Sequence, residues 1–251
     1  MKQGFILPGG TAPEQVELAV LAEQAGWDAV FTWEGGYAVD PWCTMSAMAM
    51  RTERVRLGTM LTPVPWRRPW KLAGQVATLD QLSDGRAILA AGVGAVDPGL
   101  GTYPDVTDLR ERAALLDVGI DTMRALWSGE VVAGEVDLTK AFRKGPQPVQ
   151  AHIPIWVVAI PGKPKSMRRA LRCDGVMTQS DPEKTRSLLA WLDDNGGRPS
   201  TFDVVAEGET TPEDASAMDE WRGLATWWLE SRWMTDDPAV IRTRIEAGPV
   251  R

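Results

Sequence analysis

Several residue types that usually announce chemistry are scarce in this sequence. There is one histidine, His152, and there are two cysteines, Cys43 and Cys173. The cysteines lie far apart and lack Cys-x-x-Cys spacing, which excludes a zinc module and a disulfide scaffold and leads us to expect a reducing, cytoplasmic setting. Positive charge is also short. A net charge of −7 leaves no global basic field for nucleic acid or an anionic membrane, only room for a local cluster that could meet one phosphate. No stretch reaches 18 consecutive apolar residues, so no membrane-spanning segment is expected. The start, Phe5-Ile6-Leu7-Pro8 behind a single lysine, lacks the pattern of a signal peptide. Tyrosine is rare at two residues, whereas tryptophan reaches twelve. Indole faces suit packing beside a flat ligand, although most of these are expected in the core or at a rim.

What is present is a regular alternation. Apolar strands are expected at Gln3–Leu7, Asp28–Trp33, Val55–Leu61, Ile88–Gly92, Ile155–Ile160, Gly175–Thr178, Phe202–Ala206 and Leu224–Leu229. Between them run helical patterns. Thr11 and Glu14 form a capping box ahead of Leu18, Leu21, Ala22 and Ala25. Asp108 and Glu111 form another ahead of Leu109, Ala113, Leu116, Ile120, Met123 and Trp127, the clearest amphipathic stripe in the chain. The runs 95–107 and 131–150 show no period and read as connectors. Eight strands alternating with eight helices predict one (β/α)8 barrel over residues 1–251. The insertion after the seventh strand is short, Glu207-Gly208-Glu209-Thr210-Thr211.

Residues 54–94 are the most informative segment. They read as a strand ending near Pro63 and Pro65, a helix opened by Pro69 with Leu72, Val76 and Leu79 on one face, a turn at Gly85, and a strand closing on Gly92-Val93-Gly94. Such a βαβ unit places its loops at the strand C-termini, where α/β proteins carry their active sites. Gly92 and Gly94 either admit a ligand close to the backbone or form a tight strand-to-loop turn. Ile160-Pro161-Gly162-Lys163-Pro164-Lys165 precedes a helix start whose free N–H groups favour an anion, and Arg168 and Arg169 add charge, which makes it the candidate cofactor-phosphate loop. The alternative there is a solvated basic turn.

The ordered set Thr52-Glu53-Arg54-Val55-Arg56-Leu57-Gly58-Thr59, Arg67-Arg68-Pro69, Leu79-Asp80-Gln81-Leu82-Ser83-Asp84-Gly85-Arg86, Gly92-Val93-Gly94, Ala125-Leu126-Trp127-Ser128-Gly129, Ile153-Pro154-Ile155-Trp156-Val157 and Ala170-Leu171-Arg172-Cys173-Asp174-Gly175 resembles the luciferase-like flavin-dependent oxidoreductases. That resemblance implies a barrel with a flavin ring at its C-terminal mouth and oxidoreductase or monooxygenase chemistry using reduced FMN on a small organic substrate. A deazaflavin (F420)-dependent dehydrogenase or reductase is the alternative, and a non-catalytic flavin-binding barrel is a third. It further implies a strand bulge, often with a non-prolyl cis peptide, near Met60-Leu61, and cofactor contacts from Ala159 and Gln179. Glu34 is the implied acid or base, or else an ordinary ion-pair partner. Trp33, Trp42 and Trp66 either wall the substrate side or pack in the core. A separate flavin reductase and a homodimer are implied partners. In many members a histidine follows the strand-two acid; here Gly35 stands in that place.

Overall fold

The computed structural model describes residues 1–95, 106–129, 145–233 and 236–250, and much of the two expected connectors lies outside them. The first half runs β1 (Lys2–Leu7), α1 (Ala12–Ala25), β2 (Ala29–Thr32), α2 (Pro41–Ala49), β3 (Arg56–Thr59), β4 (Thr62–Pro63), α3 (Pro69–Leu82) and β5 (Ala87–Gly92). After α4 (Leu109–Ser128) come β6 (Ile155–Val158), α5 (Pro164–Ala170), β7 (Gly175–Met177) and α6 (Pro182–Asp194). The chain finishes with β8 (Asp203–Gly208), α7 (Ser216–Asp219), β9 (Trp227–Glu230) and α8 (Pro238–Glu246). Every ladder is parallel; β9 pairs back onto β1, and β3 joins β5, which closes the sheet. The fold is a (β/α)8 barrel, with β3 and β4 as two pieces of one barrel strand.

That split corrects the expected continuous strand Val55–Leu61. Pairing with β5 stops after Gly58↔Ile88 and resumes at Thr62↔Ala91, and the intervening Met60–Leu61 peptide is cis. The last expected strand also moves. It begins at Trp227 rather than Leu224, because Trp221–Leu224 forms a turn with Gly223 at φ 75°, a conformation that glycine adopts without steric cost.

Two apolar layers hold the barrel. Inside it, Phe31, Trp156 and Trp227 pack in sequence, one pair tilted and the other edge-on, with ring centroids 5.6 Å and 5.4 Å apart, in one cluster with Ile88, Met177, Val205 and Leu229. The interior is therefore packed, and its open end can serve only as a mouth. Outside, Met45, Met48, Leu72, Val76, Leu116 and Ile120 fill the space between strands and helices. Two helix faces differ from expectation. In α1 the fully buried line is Gln15, Ala19 and Ala22, with Leu18 and Leu21 only partly covered. In α4, Leu109 is exposed and Arg112 takes a buried position.

Much of the motif at 79–86 serves the opposite, N-terminal face of the barrel. Asp80 is fully buried and accepts from the backbone N–H groups of Val149 (2.7 Å) and Gln150 (2.9 Å). Arg86 donates to the carbonyls of Ala49, Thr52, Val55 and Ser83. These groups satisfy loop carbonyls and amides that would otherwise be costly to bury. His152 sits on this side too, 2.6 Å from Asp174, remote from the mouth.

Candidate active site

The C-terminal ends of the strands surround a cleft of about 530 Å³, within the range of small-ligand sites. A smaller cavity of about 160 Å³ adjoins it over β7 and β8. Met60, Leu61 and Glu207 line both. The cis peptide thus lies across the floor shared by the two chambers, anchored by Met60 N–H donating to the Thr32 carbonyl at 2.7 Å. Met60 and Leu61 rest on the inner Trp156 layer, which makes that floor apolar.

Glu34 and Trp33 follow β2 directly, so the strand end carries both into the cleft. Glu34 is ion-paired with Arg67, and its side chain is only 4% exposed. One carboxylate oxygen, Oε2, has no hydrogen-bond partner among the described residues. Burial pushes the Glu34 carboxyl above its usual range, against the opposing pull of the Arg67 guanidinium. Arg67 comes from the Arg67-Arg68-Pro69 motif, and its own side chain is mostly covered. Of the two readings the sequence allowed, the ion-pair partner is what the geometry shows directly.

Trp33 and Trp66 line the cleft, whereas Trp42 is buried in the layer between strands and helices and lines neither mouth cavity. Trp33 also explains Gly35. A β-carbon on Gly35 would lie 2.7 Å from Trp33 Cζ3, so the indole, held by Nε1 donating to the Pro8 carbonyl at 2.9 Å, occupies that space.

Gly92 and Gly94 owe their size to protein neighbours. A β-carbon on Gly92 would meet Leu61 Cδ1 at 2.6 Å, and one on Gly94 would meet Pro63 Cβ at 2.6 Å. Gly94 has φ 74° and borders the cleft; Gly92 instead seats Leu61. Arg112, buried on α4, donates to the carbonyls of Val93, Gly94 (2.7 Å) and Ala95, fixing this strand end from behind. A bulky residue at Gly94 consequently cannot leave the fold untouched. Gly94→Val is expected to lower the thermal midpoint by several degrees through overpacking of about 1–3 kcal/mol, measured by differential scanning calorimetry.

The remaining predicted contacts divide. Gln179 lines the smaller cavity. Ala159 is buried against the outer layer, so its side chain faces away from the mouth. Ile160, Gly162 and Lys163 form an exposed rim beyond β6 and line neither mouth cavity, with open space around the missing Gly162 side chain. Arg169 is removed from the basic group, since it is buried and bonded to Asp117 at 2.7 and 2.9 Å.

The strand ends β8 and β9 supply what the sequence reading missed. Glu230, with no exposed surface, accepts from Thr210 N (2.8 Å), Thr210 Oγ1 (2.6 Å) and Trp228 Nε1 (3.2 Å), and pairs with Arg232 (2.6 Å) and Arg244 (3.4 Å). This network pins the short loop after β8 to the mouth. A glutamate closing the apolar run Trp227-Trp228-Leu229 was the available signal.

The family model for luciferase-like monooxygenases matches residues 2–244, and the chain belongs to that family. Its oxidoreductase class follows from that membership. A Rhodococcus erythropolis F420-dependent glucose-6-phosphate dehydrogenase is 35% identical over 262 residues, covering 94% of this chain and 77% of the relative. A Mycobacterium tuberculosis protein assigned to the coenzyme F420-dependent oxidoreductases is 30% identical over 232 residues; the match covers 83% of this chain but only 65% of that protein's length. Among solved structures, the monooxygenase RslO1 from Streptomyces bottropensis superposes with a TM-score of 0.70 at 27% identity, over 84% of this chain and 71% of that one.

Proposed function

We propose that this chain binds a flavin-type ring on the Met60–Leu61 floor and acts as an oxidoreductase on a small organic substrate in the adjoining cleft. The carrying observation is that shared apolar floor, crossed by the cis peptide and walled by Trp33 and Trp66. The residues present fit a flat ring. Gly92 makes room for Leu61, and Met60 and Leu61 pack on the interior layer as an apolar floor. F420 is the favoured cofactor, supported by the names of the Rhodococcus and Mycobacterium relatives. The sequence-based expectation of reduced FMN and monooxygenation is kept as the second reading, supported by the likeness to the Streptomyces monooxygenase.

A deazaflavin supplies hydride chemistry when bound, and FMN supplies oxygen chemistry as well. The protein's part is to position and to manage protons. Trp33 and Trp66 wall one side of the cleft, and Glu34, oriented by Arg67, would hold or release a proton there. The exposed Lys163 rim is the candidate contact for a cofactor phosphate.

Absorption titrations of the purified protein with FMN and with F420, run separately, test the proposal. Saturable binding of F420 at one per chain with weaker FMN binding is expected. Preference for FMN selects the second reading, and binding of neither overturns both.

A further inference from the structure

We propose that Glu207, at the end of β8, is a catalytic acid–base residue that takes the proton of a hydroxyl-bearing substrate held where the two mouth cavities meet. The inference rests on the oxidoreductase reading above, and it adds both a residue and a substrate class.

The placement follows from strand alternation. Along β8, Val205 points into the barrel and Ala206 into the outer layer, so Glu207 points back to the barrel axis, one level above Val205. There it faces Met60 and Leu61 across the passage between the cavities. The Glu207 side chain is exposed to the cleft, and the protein packed around its base raises the carboxyl above its usual range.

The charged groups around it are already engaged. Arg67 is paired with Glu34. Arg232 is 2.6 Å from Glu230 and 3.9 Å from Glu209, and Arg244 also turns to Glu230. From β7 the neighbours are neutral, Thr178 and Gln179. Among the described residues, then, the mouth contains one carboxyl without a cation beside it, and no cation without a carboxylate. That composition suits a neutral polar substrate able to give and take a proton, and it offers an anionic one little. A carboxyl serves best as acid or base when its affinity for the proton lies near the working pH.

The step balances as follows. The substrate O–H bond breaks and its proton forms a new O–H bond on the Glu207 carboxylate. The electron pair left on oxygen becomes the second bond of the product carbonyl, while the hydrogen on carbon departs with its own pair to oxidised F420. The reverse direction returns the proton from Glu207 to the carbonyl oxygen.

Two readouts decide it, one of which needs no cofactor. Glu207 binds its proton more tightly folded than unfolded, so the folded state loses stability as pH rises from the ordinary glutamate value of 4.5 through the raised folded value. Glu207→Gln is therefore expected to melt slightly higher than the wild type at pH 8, and level with it at pH 4. In F420-loaded protein, with 2-propanol and cyclohexanol as probes, Glu207→Gln should reduce kcat by about 10²–10⁴-fold, with F420 affinity within roughly twofold and partial rescue in Glu207→Asp. A pH-independent melting difference, or a Gln variant that binds F420 and turns over normally, overturns the assignment. So does a wild-type protein that binds F420 and oxidises neither alcohol. Failure to bind F420 at all instead removes the functional reading beneath it, and the melting series still reports the proton on Glu207.

Discussion

Glu230→Ala is expected to destabilise the protein by about 3–5 kcal/mol, the largest effect of any single side chain at the mouth. Removing this carboxylate leaves Arg232 and Arg244, 8% and 4% exposed, facing each other without their shared counter-ion. It also strips Thr210 N–H and Oγ1 and the Trp228 indole N–H of their acceptor. Unsatisfied buried donors and an uncompensated buried charge are both costly, and Glu209, 3.9 Å from Arg232 and half exposed, offsets only part of the loss. Urea unfolding should show a lower midpoint with an unchanged slope, and the thermal midpoint should fall by about 10 °C. A loss below about 1 kcal/mol would mean that water reaches the arginines and the network contributes little.

Arg67→Met should produce the second largest effect, with a characteristic dependence on pH. Methionine keeps much of the arginine stem's bulk but leaves Glu34 buried without its cation, a loss of about 3 kcal/mol when the acid is ionised. In the wild type, Glu34 already binds its proton more tightly than the ordinary value of 4.5, because burial outweighs Arg67. In the variant that opposing pull is gone and the folded-state value rises further. Native protein then holds a proton that the unfolded chain releases, so stability falls as pH rises from about 4.5 through the new folded value. Near pH 4, where Glu34 is protonated in both states, the variant should approach wild-type stability; at pH 8 the full cost should appear. Denaturant midpoints at the two pH values check this, and an equal loss at both would show that packing of the arginine stem, rather than charge, is what Arg67 contributes.

The same pair shows how far the sequence could be read. Glu34 at a strand end and Arg67 ahead of Pro69 were both visible, 33 residues apart, and Glu34 could be read as an acid or base or as an ordinary ion-pair partner. Their pairing depends on the β2 and β3 ends meeting at one rim, a non-local fact. Gly92 and Gly94 teach the complementary lesson. Their need to be glycine was legible, but the atoms they make room for are Leu61, Pro63 and Arg112, which only packing reveals. Trp33 and Trp42 are chemically alike and nine positions apart, and one lines the cleft while the other is core, because one follows a strand and the other starts a helix.

By itself the sequence determined the barrel, since nearly continuous apolar runs alternating with capped helices leave few other ways to bury both faces of parallel strands. It also marked the strand-three end at Met60-Leu61 as the place to look. The tertiary structure alone decided which charges are spent and which are free. Arg169, Arg232 and Arg67 are committed to Asp117, Glu230 and Glu34, and Glu207 is left facing the passage without a cation among the described residues. Ionic pairing and desolvation depend on distances of a few ångströms between residues distant in sequence, and strand order sets those distances only once the barrel has closed.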